Sequence, residues 1–442
     1  MSSVIIENVS RFWRFAGPIL LIGGVGLGAL WTMPGVRERV LWHFESWRVQ
    51  IRYALKPPQA AVFVPEATIS PLAVTPSQTL ATPTVTPTAL PVLAEASSVA
   101  VTPTALPTPT PTPLPPEVHL TGGRYYDQHG LWNYCAPATL AIALSYWGWE
   151  GDRTDIGRVV KPFEKDKNVM PYELADYVES YTGLRALVRA GGTLDLLKRL
   201  VAAGFPVVIE KGVYLRDYNG RLGWMGHYTV VSGYEEAAGR FITQDAYFSP
   251  DYPVTYEDLL WQWRSFNYVF LVIYPPEREA EVMAVLGPYA DATESYRQAM
   301  QTASYEASAL SGLEQFFALF NYGTSLVNLQ DYAGAARAYD QAFSLMASLP
   351  EDKRPWRMMW YQTGPYFAYY YTGRYWDVIR LADTTIGAAD QPYIEESFIW
   401  RARARLALGD TAGAAEDVRT ALEYHPGFIP AVELAQAMHL QP

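Results

Sequence analysis

From Pro57 to Pro116 the chain runs through repeated Thr-Pro steps, with the heptad VTPTALP at Val85 to Pro91 and again at Val101 to Pro107. Proline fixes φ and removes a backbone donor, and this stretch has no apolar periodicity, so it favours extended polyproline conformations and builds no core. The segment therefore cuts the chain in two. A short apolar part precedes it, and everything able to bury a sizeable core follows. Residues 57–117 are expected to be a disordered Thr/Pro-rich linker, a semi-rigid stalk advancing about 3.1 Å per residue.

Ahead of the linker, the run from Phe15 to Met33 carries no charge and approaches the roughly 20 residues that cross a bilayer as a helix. Trp13 and Trp31 flank it, as interfacial aromatics do. Residues 1–34 thus read as an N-terminal segment with a transmembrane helix as anchor. A cleaved signal peptide competes, with Arg11 and Arg14 before the run and small residues at Gly26 and Gly28, and so does a buried core helix. Val36, Val40, Phe44, Trp47, Ile51 and Leu55 then recur at helical steps among Arg37, Arg39, Arg48 and Arg52. Residues 35–56 read as an amphipathic juxtamembrane helix lying at the membrane surface. The arginine balance favours a cytoplasmic C-terminal side, whereas the Thr/Pro-rich stalk favours an outer face. The reading adopted is a single-pass membrane protein whose C-terminal domains are extracellular.

The net charge of -11 opposes phosphate binding, so no nucleic-acid partner is expected. Cys135 is the sole cysteine, which excludes an intrachain disulfide and a thiolate zinc cluster. The six histidines, at 43, 119, 129, 227, 425 and 439, show no ligand spacing such as HExxH. No metal and no cofactor are expected.

That cysteine opens an apolar run, Cys135-Ala-Pro-Ala-Thr-Leu-Ala-Ile-Ala-Leu-Ser-Tyr-Trp-Gly148, with Pro137 in a first helical turn and Gly148 as C-cap. The sulfur is thereby placed at the start of a buried helix, where unpaired amides and the helix dipole favour a thiolate. Taken alone, a single cysteine is more often an inert buried thiol. Downstream, Gly226 to Tyr234 reads as a strand, Glu235 to Gly239 as a turn, and Arg240 to Gln244 as a second strand closed by Asp245. His227 opening one strand and Asp245 closing its antiparallel partner can meet. An acid there would fix the imidazole tautomer and leave the other ring nitrogen for the thiol proton.

The segments WNYCAPATLAIALSYWGW, DKNVMPYELADYV, GFPVVIE, GHYTVVSGY and QDAY, in that order from Trp132 to Tyr247, resemble the stand-alone C39-like group of papain-like cysteine peptidases. The resemblance implies a C39-like α+β papain-like peptidase domain, residues 118–280, with a Cys135, His227 and Asp245 triad. It also implies an oxyanion-hole glutamine ahead of the nucleophile, assigned to Gln128 together with the Cys135 backbone N–H. Two positions depart from the family pattern. Ala136 follows the cysteine where glycine is usual, and Gln128 lies one residue further upstream than the family's glutamine, with His129 at the usual place. Either a bulge rescues Gln128 or His129 donates instead.

Helices over Pro171 to Thr182 and Thr193 to Ala203, and strands over Leu184 to Arg189, Pro206 to Glu210 and Phe266 to Tyr274, complete that body. Trp224 reads as a core or rim residue, with a cleft-lining role as the alternative. Residues 281–442 resemble tetratricopeptide repeats, an all-α domain. Gly323, Ala335, Tyr339 and Ala342 mark one unit, Phe398, Ala402, Ala414, Ala421 and Pro426 another, and Tyr366 to Ile386 a degenerate one between them. The whole reads as a membrane-anchored cysteine peptidase acting on a peptide or protein substrate, with repeats offering a surface to a protein partner. An inactive papain-like scaffold and an acyl-transfer enzyme are the alternatives.

Overall fold

Runs of β-branched and aromatic residues pair into one seven-stranded sheet in the computed structural model, which describes residues 47–66, 113–163, 166–216 and 222–440. The strands are β1 (Glu117–His119), β2 (Arg185–Arg189), β3 (Val207–Arg216), β4 (Leu222–Glu235), β5 (Arg240–Asp245), β6 (Ser249–Thr255) and β7 (Phe270–Tyr274). Their order is β2-β7-β3-β4-β5-β6, with β1 added on β4, and every pairing is antiparallel. Alternation gives the sheet two apolar faces. Val208, Tyr228, Val230, Leu271 and Ile273 belong to one core, and Val207, Ile209, Val231, Phe270 and Val272 to another.

The helices in chain order begin with α1 (residues 47–55), α2 (Cys135–Ser145), α3 (Arg153–Val160), α4 (Pro171–Tyr181), α5 (Leu194–Ala202), α6 (Tyr256–Arg264) and α7 (Glu279–Leu286). In α2 every residue from Ala136 to Ser145 is buried, as an all-round apolar helix must be. It stops where Gly148 takes φ +78, a left-handed conformation glycine adopts without strain. Val282 and Leu286 of α7 join the core around Leu196, Leu200 and Phe205, so the sheet-bearing unit extends past the expected boundary at residue 280.

The C-terminal region is wholly helical: α8 (Ala292–Ala309), α9 (Gly312–Asn328), α10 (Tyr332–Ser348), α11 (Met358–Tyr361), α12 (Gly364–Tyr371), α13 (Tyr375–Ala388), α14 (Glu395–Ala407), α15 (Thr411–Tyr424) and α16 (Ile429–Ala437). Three helix hairpins, α9/α10, α12/α13 and α14/α15, turn through left-handed residues at Gln330 (φ 64), Gly373 (φ 74) and Gly409 (φ 86). In the first and third, an Asp caps the second helix: Asp331 accepts from the Gly334 amide at 2.8 Å and Asp410 from the Gly413 amide at 2.9 Å. This region docks on the end of α6. Asn321 Nδ2 donates to the Arg264 carbonyl at 2.6 Å, Gln362 Nε2 to the Ser265 carbonyl at 2.7 Å, and Arg264 pairs with Glu306 and Glu314.

The expected anchor and the first part of the juxtamembrane helix lie outside the described residues. Among the described residues no helix is long and apolar enough to cross a membrane. The described end of the juxtamembrane helix, α1, has two apolar faces rather than one. Trp47, Ile51 and Leu55 are on its exposed side, while Val49 and Tyr53 are buried against the helical region. Arg48 and Arg52 hold Asp390, at 2.7 and 3.3 Å. The start of the expected linker is also ordered: Phe63 is buried, edge-on to Phe343 with centroids 5.0 Å apart, and Pro58–Ala60 forms a 3-10 turn. Residues 57–66 therefore belong to the folded body, because their apolar side chains find a groove that composition alone does not reveal.

Candidate active site

Cys135 is the first residue of α2, and Tyr134 at the N-cap gives no side-chain hydrogen bond to the first turn. The leading amides of the helix thus stay directed at the loop that carries the sulfur. Asn133, at φ 48, turns that loop, and its Nδ2 donates to the Asp166 carbonyl at 2.6 Å. Lys161 Nζ donates to the Trp132 carbonyl at 2.5 Å from the other side. Cys135 as a residue is half-buried.

His227 lies inside β4, opposite Lys211 of β3, and not at the strand's start. The strand is longer than expected because Leu222 to Met225 continue the ladder with Val213 to Arg216. The turn arrives as read, with Gly239 left-handed after Glu236–Ala238 and β5 ending at Asp245. His227 Nε2 meets Asp245 Oδ1 at 2.7 Å, with the His227 side chain 1% and the Asp245 side chain 0% exposed. The same oxygen accepts from the amides of Tyr247 at 3.0 Å and Phe248 at 3.3 Å. With Nε2 committed to Asp245, Nδ1 is the ring nitrogen left to serve the Cys135 thiol, whose proton affinity His227 lowers.

The electrostatics follow from this packing. Burial lifts the Cys135 thiol, but the hydrogen bond and charge of His227, the Tyr228 amide and Lys161 more than offset it, leaving the thiol below its ordinary value. Burial disfavours the charged imidazole, yet Asp245 and then Cys135 raise His227 to about 9. Asp245 would be raised by its burial, and the charges of His227 and Lys211 instead hold it well below the usual carboxylate range.

Gln128 donates its backbone N–H to the Ala246 carbonyl at 2.9 Å, and its Oε1 is buried without a hydrogen-bond partner. His129 is exposed, tied to Asp127 at 2.6 Å and packed on the Tyr247 ring at 4.9 Å. The Gln128 side chain is thus partly buried beside the nucleophile loop, whereas the exposed His129 has its Nδ1 tied to Asp127. Trp224 is core: it stacks on Phe266 at 5.7 Å and contacts Phe317 and Tyr361.

Lys211 was not singled out by sequence. Its Nζ is 3.1 Å from Asp245 Oδ2, with the side chains 1% and 0% exposed. Glu210, next to it, is buried with its carboxyl pushed well above the usual range, first by burial and then by Cys135. The signal for both was a pair of charges inside an otherwise apolar strand, VVIEKGV, which only a site or an ion pair justifies.

A cleft of about 260 Å³ adjoins the nucleophile loop. One wall is Gln128 to Asn133 with Met225 and Tyr247; the other is Arg357, Trp360, Tyr361, Asp390 and Gln391 of the helical region, with Arg48, Val49 and Tyr53 of α1. A larger cavity of about 680 Å³, between α4 and the helical region, includes Glu173, Glu396, Trp400 and His425, and neither cavity is lined by Cys135, His227 or Asp245 themselves; the smaller one reaches the site through Gln128 and Tyr247. Among the described residues no group of acidic, histidine and cysteine side chains has a metal-holding arrangement.

Residues 121–270 match the model of the Peptidase_C39 like family, a span that includes Gln128, Cys135, Lys211, His227 and Asp245. A crystal structure from Bacillus anthracis, described as a C39-like peptidase, is 18% identical and is covered over 96% of its length by 36% of this chain, with a TM-score of 0.29. No curated protein matches the chain. The sheet-bearing unit is thus similar to C39-like peptidases, and a helical region follows it.

Proposed function

We propose that this chain is a cysteine peptidase that hydrolyses peptide or amide bonds through Cys135, His227 and Asp245. The observation that carries the reading is the buried His227–Asp245 pair, 2.7 Å apart, beside a cysteine that opens a helix and whose thiol His227 holds below its ordinary value. The thiolate attacks the substrate carbonyl carbon, forming a C–S bond and moving an electron pair to oxygen. That oxyanion is met by the Cys135 amide and the Gln128 side chain. As the C–N bond breaks, imidazolium His227 gives its proton to the departing amine. Water then attacks the thioester, His227 takes a proton from it, and C–S cleavage restores the thiolate.

The cleft supports a substrate gripped between the sheet-bearing unit and the helical region, so both units would select it. Three hairpins with matching turns at Gln330, Gly373 and Gly409 support a tetratricopeptide-like reading of residues 281–442. An N-terminal membrane anchor with the folded units outside the cell completes the proposal, the anchor resting on the uncharged run from Phe15 to Met33 and the outer face on the Thr/Pro-rich segment. The test is labelling of the full-length protein by a thiol-reactive peptide electrophile, beside Cys135→Ala and His227→Ala. Wild type labels fast at neutral pH, Cys135→Ala not at all, and His227→Ala far more slowly; equal rates for wild type and His227→Ala reject the activated thiol.

A further inference from the structure

Lys211 is a buried lysine whose ammonium sits 3.1 Å from Asp245 Oδ2, on the side of the carboxylate away from His227. Placing an ammonium where its side chain is 1% exposed is expensive, and a fold that needed only to fill this space would do better with an apolar residue of similar volume. Oδ1 of Asp245 receives His227 and the amides of Tyr247 and Phe248, whereas the buried Oδ2 accepts no hydrogen bond, so the Lys211 ammonium is the charge that faces it. Cross-strand pairing with His227 also fixes Lys211 to the backbone that carries the imidazole. We infer that Lys211 is a positioning residue of the catalytic site, whose fixed positive charge holds Asp245 in place and lowers the proton affinity of His227 and, more weakly, of Cys135.

The inference rests on the proposed triad. Its sign is unambiguous: a cation lowers the proton affinity of every neighbour, so removing it raises each one. Lys211 and His227 are cross-strand partners that face the two oxygens of one carboxylate, at 3.1 and 2.7 Å. The larger change therefore falls on the imidazole. In Lys211→Met, nearly isosteric and uncharged, the alkaline inflection of thiol reactivity moves up by about one pH unit, a tenfold change in proton binding. The acid inflection moves up by less. Lys211→Arg keeps the charge and leaves both near their wild-type places.

Because Cys135 is the sole cysteine, the rate of iodoacetamide alkylation of the full-length protein against pH reads this site alone. A single ordinary thiol inflection in wild type sinks the triad itself. A depressed wild-type inflection with an unmoved Lys211→Met profile, in a protein that melts cooperatively, overturns the role of Lys211 and leaves the triad standing. If Lys211→Met fails to fold, the double variant Lys211→Met/Asp245→Asn decides. Recovered folding shows that the charges act on each other, in support of the inference, and failure of both makes Lys211 structural and overturns it.

Discussion

Replacing Asp245 by Asn removes the charge that raises His227 while keeping a carbonyl oxygen for the Tyr247 and Phe248 amides. The interval between about 9 and the ordinary imidazole value of 6.5 is worth about 3 kcal/mol of preference for the charged ring, and burial opposes that preference. Without Asp245 the burial penalty remains, so His227 falls to or below its ordinary range and no longer holds a proton against the thiolate. The Cys135 thiol, now facing a neutral ring, moves up instead. Alkylation of Cys135 by iodoacetamide at pH 7 should slow by about 100-fold, matching a loss of roughly two pH units in thiolate formation. The variant also leaves Lys211 against an amide, at a cost of about 3 kcal/mol or more, so rates are compared well below its melting temperature. A folded Asp245→Asn that alkylates as fast as wild type at pH 7 would refute the electrostatic argument, because the Asp245 charge does the most to raise His227.

Trp224→Ala empties a position that stacks on Phe266 and meets Phe317 and Tyr361; a loss of about 3–5 kcal/mol in urea unfolding is expected, and a change below about 1 kcal/mol would show that the interface does not hold the units together. Gly226→Ala would put a methyl 2.8 Å from the Phe266 ring and 2.9 Å from the Tyr361 ring. The cleft wall must shift, so labelling by a peptide electrophile should slow more than alkylation by iodoacetamide, and equal slowing counts against a cleft at this junction. Glu173 is raised from 4.5 to about 7, first by burial and then by Glu395. A carboxyl that binds its proton more tightly when folded stabilises most below about 4.5, and this share is lost as pH rises towards about 7. Glu173→Gln should flatten the stability profile over that window, and an unchanged slope rejects the assignment.

Much of the site was legible because its chemistry sits at places that sequence marks. Pro137 and Gly148 bracket α2 around the cysteine, and the left-handed Gly239 turns the His227 strand into the Asp245 strand. Lys211 was hidden because register, and not local pattern, puts it opposite His227. The α3 helix was passed over although Asp152 and Asp155 form a capping box at its start. The turns at Gln330 and Gly409 share a sequence signal despite the different residue at the turn, since the Asp-x-x-Gly at Asp331 to Gly334 recurs at Asp410 to Gly413. The packing of Val49, Tyr53 and Phe63 could not be read, because which face of a short helix meets protein depends on a surface formed far along the chain.

That packing changes what the Thr/Pro-rich segment can do. Residues 47–66 are fastened to the helical region through Arg48, Arg52 and Phe63, and Glu117–His119 is woven onto β4, so residues 67–112 leave and rejoin one body. A spacer fixed at both ends sets no standoff distance between the parts it joins. A protease nick between residues 67 and 112 should accordingly leave two fragments that co-elute under native conditions and part only in denaturant.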